Sequence, residues 1–262
     1  MRIRRSSQVG WCTKSIYGSP GDLLAVFAHP DDEVFRCGGT LALLAQRGVH
    51  VQVVTFTRGQ AGSCGQPPVC TREELGAVRT AELLCSCRTL GLEPPLVLDY
   101  EDGMLAHVVQ EEGTARITAY IQTIRPQVLL TWPLHGLSGH PDHAAVSRWT
   151  LAAYQQAKRA GVDDLVALYH LAMPDSLARE LGLKQLHTLP DNEVTVTVDV
   201  QGVWEQKMAA VACHRTQAGE SPILRAAPDR QRRFLGREHF HRALALQQDD
   251  LLLELGRQKV GI

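Results

Sequence analysis

The sequence lacks any apolar run approaching the roughly 18 residues that a membrane-spanning helix needs, so no membrane span is expected. Its first twenty residues, MRIRRSSQVGWCTKSIYGSP, are basic, but no apolar stretch follows them and no secretory leader is read there. It lacks an excess of charge of either sign. Lys and Arg number 27 against 28 Asp and Glu, for a formal net charge of -1, which argues against a polyanionic partner such as nucleic acid. The basic runs MRIRR and DRQRRFLGR then read as solvated surface. There is no CxxC. The cysteines are seven, an odd number without metal-type spacing: Cys12, Cys37, Cys64, Cys70, Cys85, Cys87 and Cys213. Reduced thiols in a cytoplasmic protein are the expectation, with a Cys64–Cys70 bridge across the loop SCGQPPVC as the alternative. Internal repeats and low-complexity linkers are also missing. One domain over residues 1–262 is therefore expected, with 1–20 as an N-terminal extension.

What is present is a globular composition, 44% hydrophobic and 21% charged, laid out as alternating short apolar runs and helical stretches. LLAVFA (23–28), VHVQVVTFT (49–57), PLVLDY (95–100) and VLLTW (128–132) read as strands. GGTLALLAQRG reads as a helix stopped at Gly48. Thr71 and Glu74 form a capping box that opens a helix over about 72–90. A further helix covers 114–125 and breaks at Pro126. Another starts at HPDH and ends near Gly161. LVALYHLA and VTVTVDV are further strands, while VWEQKMAAVACHR and the region after about Asp229 look helical. This alternation predicts an α/β fold, Rossmann-like, with a mostly parallel sheet and helices on both faces.

In such sheets ligands bind beyond the carboxyl ends of the strands, and the polar clusters of this chain sit there. His29, Asp31, Asp32 and Glu33 follow the first strand. Arg58 and Gly59 follow the second, and Asp102 and Gly103 the third. His135, His140, Asp142 and His143 follow the fourth. HPDD and HPDH share a format in which a potential metal ligand stands three residues after a histidine. His29, Asp32 and His143 would supply two imidazoles and a carboxylate, a catalytic zinc set that leaves a position for water. Asp31 and His140 then remain beside the metal as a free base and a free acid or charge stabiliser. The chemistry implied is metal-assisted hydrolysis of a carbonyl compound. The same set also suits non-haem Fe2+.

At AHPDDEVFRCGGTLA, VTFTRGQAGS, TREELGAVRTAELLCSCRTLGL, DYEDGML, GHPDHAAV and KMAAVACHRTQ, the chain resembles the LmbE/PIG-L family of zinc-dependent deacetylases, over roughly residues 22–217. The resemblance implies a cytoplasmic hydrolase that removes an N-acetyl group from an N-acetylglucosamine-type conjugate, such as a sugar-thiol precursor, with one Zn2+ per chain. By position it implies His29, Asp32 and His143 as metal ligands and Asp31 as the general base. It implies His140 as the histidine that stabilises the oxyanion or protonates the leaving amine, and Asp142 as the carboxylate that orients and charges it. Arg79, Asp102 and His214 are implied at the substrate. Where some sugar-thiol deacetylases of the family carry a tyrosine two residues before the HPDH histidine, this chain has Ser138. Glu33 is expected to serve structure behind the ligands. The alternatives are an amidase cleaving a larger N-acyl conjugate and a non-catalytic metal- or carbohydrate-binding protein. The expected partner is a small-molecule amino-sugar conjugate; a homo-oligomer is compatible with the sequence.

Overall fold

A computed structural model describes residues 22–257. The N-terminal extension and Cys12 lie outside these residues. The strands are β1 (Leu23–Phe27), β2 (Val51–Thr57), β3 (Leu96–Tyr100), β4 (Val128–Thr131), β5 (Ala167–Leu171), β6 (Val196–Asp199) and β7 (Arg237–Ala245). The helices are α1 (Asp32–Phe35), α2 (Gly38–Gln46), α3 (Leu75–Leu90), α4 (Gln110–Ile124), α5 (Gly136–Gly139), α6 (Pro141–Arg159), α7 (Asp175–Leu181), α8 (Trp204–Cys213), α9 (Arg215–Ala218), α10 (Pro228–Leu235) and α11 (Leu251–Arg257). Among the described residues no helix is long and apolar enough to cross a membrane.

The strands form one seven-stranded sheet in the order β3-β2-β1-β4-β5-β7-β6. Strands β1 to β5 run parallel, and β7 pairs antiparallel with both β5 and β6. Alternate residues of β1 point to opposite faces, as a strand buried on both sides requires. Leu23, Ala25 and Phe27 join one core with residues of α2, α3, α8 and α11. Leu24 and Val26 join the other with residues of α4 and α6. Strand β1 lies between β2 and β4, so the chain order reverses at the β1/β4 boundary. A crevice opens at such a switch point, beyond the carboxyl ends of the two strands. The tips of β1 and β4 lead into HPDD and into the loop before HPDH.

Three sequence expectations about secondary structure are corrected, and one about the cysteines. The stretch after Asp229 is helical in α10 and α11, but REHFHRALA between them is the strand β7. The helix expected over 114–125 begins at Gln110. The capping box at Thr71 forms, with Thr71 N on Glu74 Oε2 (3.0 Å) and Glu74 N on Thr71 Oγ1 (3.4 Å), but regular α-helix begins at Leu75. The thiols are not all reduced: Cys85 of α3 and Cys213 of α8 form a disulfide, while Cys37, Cys64, Cys70 and Cys87 are free.

Strand β7 carries a buried ion pair. Glu238 Oε1 lies 2.7 Å from Lys207 Nζ of α8, and both side chains are fully buried. The same carboxylate accepts from Gly39 N (2.9 Å) and Thr40 N (2.6 Å) in the first turn of α2, where unpaired amides favour a negative group. Lys207 Nζ also donates to Leu235 O (2.6 Å). A Cβ on Gly39 would lie 2.5 Å from Val200 Cβ, so only glycine lets α2 come this close to the end of β6. Glu238→Ala should lower stability by about 3–5 kcal/mol in urea denaturation, because it strands a buried cation and two buried amides. Lys207→Met should cost less, since the carboxylate keeps its two amide donors.

Candidate active site

Strand β1 delivers His29, and Asp32 opens α1 three residues later. The Asp32 carboxylate folds back over the strand tip. Its Oδ2 accepts from Ala28 N and His29 N, each at 3.0 Å, and from Trp132 Nε1 at 3.1 Å. These three donors leave Oδ1 turned to His143 Nε2, at 3.3 Å. Burial disfavours charge on Asp32, but His143, His29 and the amide donors outweigh it and hold the carboxyl well below the usual carboxylate range.

His143 lies in the first turn of α6, stacked on Trp132 with ring centroids 4.1 Å apart. Its Nδ1 is 3.2 Å from Gly136 O, which makes that nitrogen the donor and leaves Nε2 with a free lone pair. Gly136 has φ +71°, and a Cβ there would lie 2.9 Å from His143 Cβ, so glycine permits this approach. His29 Nδ1 is 3.2 Å from His143 Nε2. One candidate metal-binding group thus comprises His29, Asp32 and His143, and an overlapping one comprises His29, His140 and Asp142. Within each group the donor atoms lie within 4.8 Å of one another.

The environment of the imidazoles favours the first group. Two carboxylates face the other nitrogen of His29: Asp102 Oδ1 at 3.0 Å and Asp142 Oδ2 at 3.2 Å from Nε2. A metal-bound histidine characteristically hands its second N–H to a carboxylate, which fixes the tautomer and strengthens the ligand. Two buried imidazoles and a carboxylate converging on one point therefore fit a zinc-type ion. Without the ion, burial works against charge on His29, yet the hydrogen bonds with Asp102 and Asp142 prevail and push its pKa up to about 10.

The expected influence of Asp142 on His140 is electrostatic, since its charge acts to raise the His140 pKa while its hydrogen bonds go elsewhere. Asp142 Oδ2 accepts from Gly103 N (2.8 Å) and Oδ1 from Leu105 N (3.0 Å), so its carboxylate serves His29 and the β3 loop. Its hydrogen-bonded link to His140 runs through the main chain: Asp142 N donates to His140 Nδ1 at 3.2 Å. That leaves the His140 proton on Nε2. Burial and the neighbouring His143 and His29 lower the His140 pKa, which keeps the ring neutral at pH 7.

Asp31 stands beside the ligand set. Its backbone is left-handed, with φ +102°, a conformation that is strained for a residue with a side chain. Its N–H donates to Glu33 Oε2 at 2.9 Å. The other oxygen of Glu33 accepts from Ser86 Oγ (2.6 Å) and meets His214 Nε2 (2.7 Å). Arg79 Nη2 lies 3.3 Å from Asp31 Oδ2 and donates to Pro30 O, while Nη1 donates to Gly59 O at 2.8 Å. Burial pushes the Asp31 pKa up. Arg79 opposes the rise, the nearby Asp32 charge adds to it, and the result is about 6.

Of the residues expected at the substrate, Asp102 reaches His29 and Ala61 N (2.8 Å) at the rim. Arg79 is buried and holds Asp31. His214 is fully buried against Glu33, which corrects its expected place at the substrate: it supports Asp31 from behind. Arg58 pairs with Asp99 at the surface, and His135 is exposed and packs on His187. Sequence reasoning did not find Trp132 as a donor to Asp32. Glu82 accepts from Thr216 N (2.9 Å) and Oγ1 (2.6 Å) and so pins the segment after His214.

Zinc requires a neutral His29, so binding to the metal-free protein at pH 7 should release about one proton from this residue. Apparent affinity should fall about tenfold per unit as pH is lowered. Calorimetry in buffers of different ionisation enthalpy reads the released proton directly, and the same affinity at pH 6 and pH 8 would contradict the assignment.

Comparison with known proteins agrees with this geometry. Residues 24–154 match the family model "PIG-L: GlcNAc-PI de-N-acetylase". The 1D-myo-inositol 2-acetamido-2-deoxy-alpha-D-glucopyranoside deacetylase of Salinispora arenicola is 30% identical over 257 aligned residues, covering 83% of each chain. The enzyme of that name from Mycobacteroides abscessus is 32% identical over 230, covering 74% of this chain and 81% of its own. Among solved structures, the conserved protein TT1542 of Thermus thermophilus superposes with a TM-score of 0.64 at 26% identity, over 87% of this chain and 97% of its own. With ligand-type residues at both HPD motifs and a family match across the strands that carry them, this chain belongs to the PIG-L (LmbE) family of de-N-acetylases.

Proposed function

We propose that this protein is a zinc-dependent hydrolase that removes the N-acetyl group from an N-acetylglucosamine-type amino-sugar conjugate. The observation that carries the reading is the pair of adjacent carboxylates in HPDD. Asp32 accepts from three donors, faces His143 and is held ionised at the ligand set, while Asp31 beside it is paired, among the described residues, only with Arg79 and has a pKa of about 6. A protein that only bound metal would have no need of the strained Asp31. The substrate class is supported by the relatives, whose names specify an N-acetylated glucosamine joined to inositol.

The metal held by His29, Asp32 and His143 would supply Lewis-acid polarisation and an acidified water. Asp31 takes the proton of the attacking water. Arg79 and Glu33 fix Asp31 from the side-chain and backbone ends, so its carboxylate meets the water without reorganising. His140, neutral with its proton on Nε2, donates to the oxygen that gains charge as the carbonyl carbon becomes tetrahedral. Asp142 and Asp102 hold His29 in the tautomer that faces the ligand set. The proton collected by Asp31 is then available to the departing amine, as general acid–base symmetry requires. Acetate and a free amino sugar are the products.

Asp31→Asn should leave zinc content unchanged and lower kcat for amine release by about 100-fold or more. Undiminished kcat would remove Asp31 from the role of base. In the wild type the active carboxylate form of Asp31 exists above its pKa. The rate should therefore fall about tenfold per unit as pH drops below about 6, and that acid limb should be missing from the residual activity of Asp31→Asn.

A further inference from the structure

A cavity of about 860 Å3 opens on the Asp31 side of the cleft. Its floor comes from α1 and the loop after β4, one wall from residues 182–186 after α7, and the other from residues 217–223 and α10. Phe35, Leu183, Leu186, Ile223 and Phe234 face it half-buried, with Leu137 buried beneath. Arg36 and Gln217 of the inner wall direct most of their donors into the protein, with Arg36 Nε left unpaired among the described residues. Arg36 Nη1 donates to Phe234 O (2.6 Å) and Nη2 to Ala172 O (3.2 Å), with the guanidinium over the Phe234 ring at 4.8 Å. Gln217 Nε2 donates to Ser63 O (2.8 Å) and Thr216 Oγ1 (3.0 Å). Ser138, Lys184 and Arg230 are exposed at the mouth.

This wall suits one kind of occupant. A polyhydroxylated ring placed here would give up its hydration against side chains that offer few new hydrogen bonds, and each unpaired hydroxyl would weaken binding. An apolar group would instead take the half-buried rings and leucines out of water. The cavity is continuous with Asp31, so a group bonded to the reacting amide or to its sugar reaches it directly. We infer that this cavity binds an apolar group of the substrate, carried on the acyl carbon or on the anomeric oxygen, and so selects such conjugates over an inositol conjugate. The inference rests on the deacetylase reading above and narrows its substrate class.

The test uses the zinc-loaded enzyme and amine release on two series. The first holds N-acetyl constant and varies the glycoside: methyl, butyl, hexyl and inositol. The second holds the methyl glycoside and varies the acyl group: acetyl, butanoyl and hexanoyl. In one series kcat/KM should rise at least about tenfold from shortest to longest member, against a ceiling of about fourfold per fully buried methylene. The series that rises identifies which end of the substrate enters. Ile223→Asp, which sets a charge in the apolar wall, should flatten that rise to within about twofold. Two flat series, or an inositol conjugate turned over better than every alkyl one, overturn the inference while leaving a working deacetylase. No amine release from any member overturns the deacetylase reading instead. Calorimetry then decides the cavity alone: at least about tenfold tighter binding of either the hexyl N-acetylglucosaminide or the methyl N-hexanoylglucosaminide over the methyl N-acetylglucosaminide supports it, and equal or undetectable binding of all three overturns it.

Discussion

The site depends on one carboxylate that touches no substrate. Glu33 is fully buried, and it joins the backbone of Asp31 to Ser86 in α3 and to His214 at the end of α8. A left-handed backbone at a non-glycine residue costs about 1–3 kcal/mol. It persists here because the Asp31 N–H has a charged acceptor, and that acceptor is itself held by two other elements. The Cys85–Cys213 disulfide lies one residue from both Ser86 and His214, so the same two helices are tied covalently where they grip Glu33. Burial disfavours a charged His214, but Glu33 at 2.7 Å prevails and raises its pKa.

Around that anchor, neighbouring residues of one motif take opposite roles through environment alone. Asp31 and Asp32 have the same side chain. Asp32 lies under amides and imidazoles that stabilise its charge. Asp31 has one guanidinium and is otherwise desolvated beside a second negative charge. The histidines divide similarly. His29 is flanked by two carboxylates, while His140 receives only a main-chain N–H and stays neutral.

The parallel strands and the two HPD motifs were legible because they are local. Apolar runs of strand length and a ligand three residues from a histidine need no knowledge of distant chain. The metal-type set His29, Asp32 and His143 could be proposed from those spacings, and the structure brings the three donors together. What stayed hidden depends on long-range partners. Glu33 pairs with residues 53 and 181 positions away, and nothing near it marks His214 as its mate. Asp142 could not be separated from its sequence neighbour His140, because only the fold brings His29 to its carboxylate. REHFHRALA reads as helix because it has charges and no β-branched residues. Its burial as a strand requires Lys207, from another element, to neutralise Glu238. The cysteine spacing likewise carried no trace of the bridge between α3 and α8.

Strand β7 gives the protein an order of assembly. The first five strands can pair as they leave the ribosome, each beside one already made, but β6 has only β7 as a partner in the sheet. It must wait, unpaired, until the chain has been translated through Phe240, the last β7 residue that it pairs with. Leu235, whose carbonyl receives Lys207, and Phe234, which lines the cavity, come just before β7 in the chain. The clamp on α8 therefore closes in the same late event that completes the sheet. The HPDD motif is made first, and the residues that clamp α8 beside it are made long after.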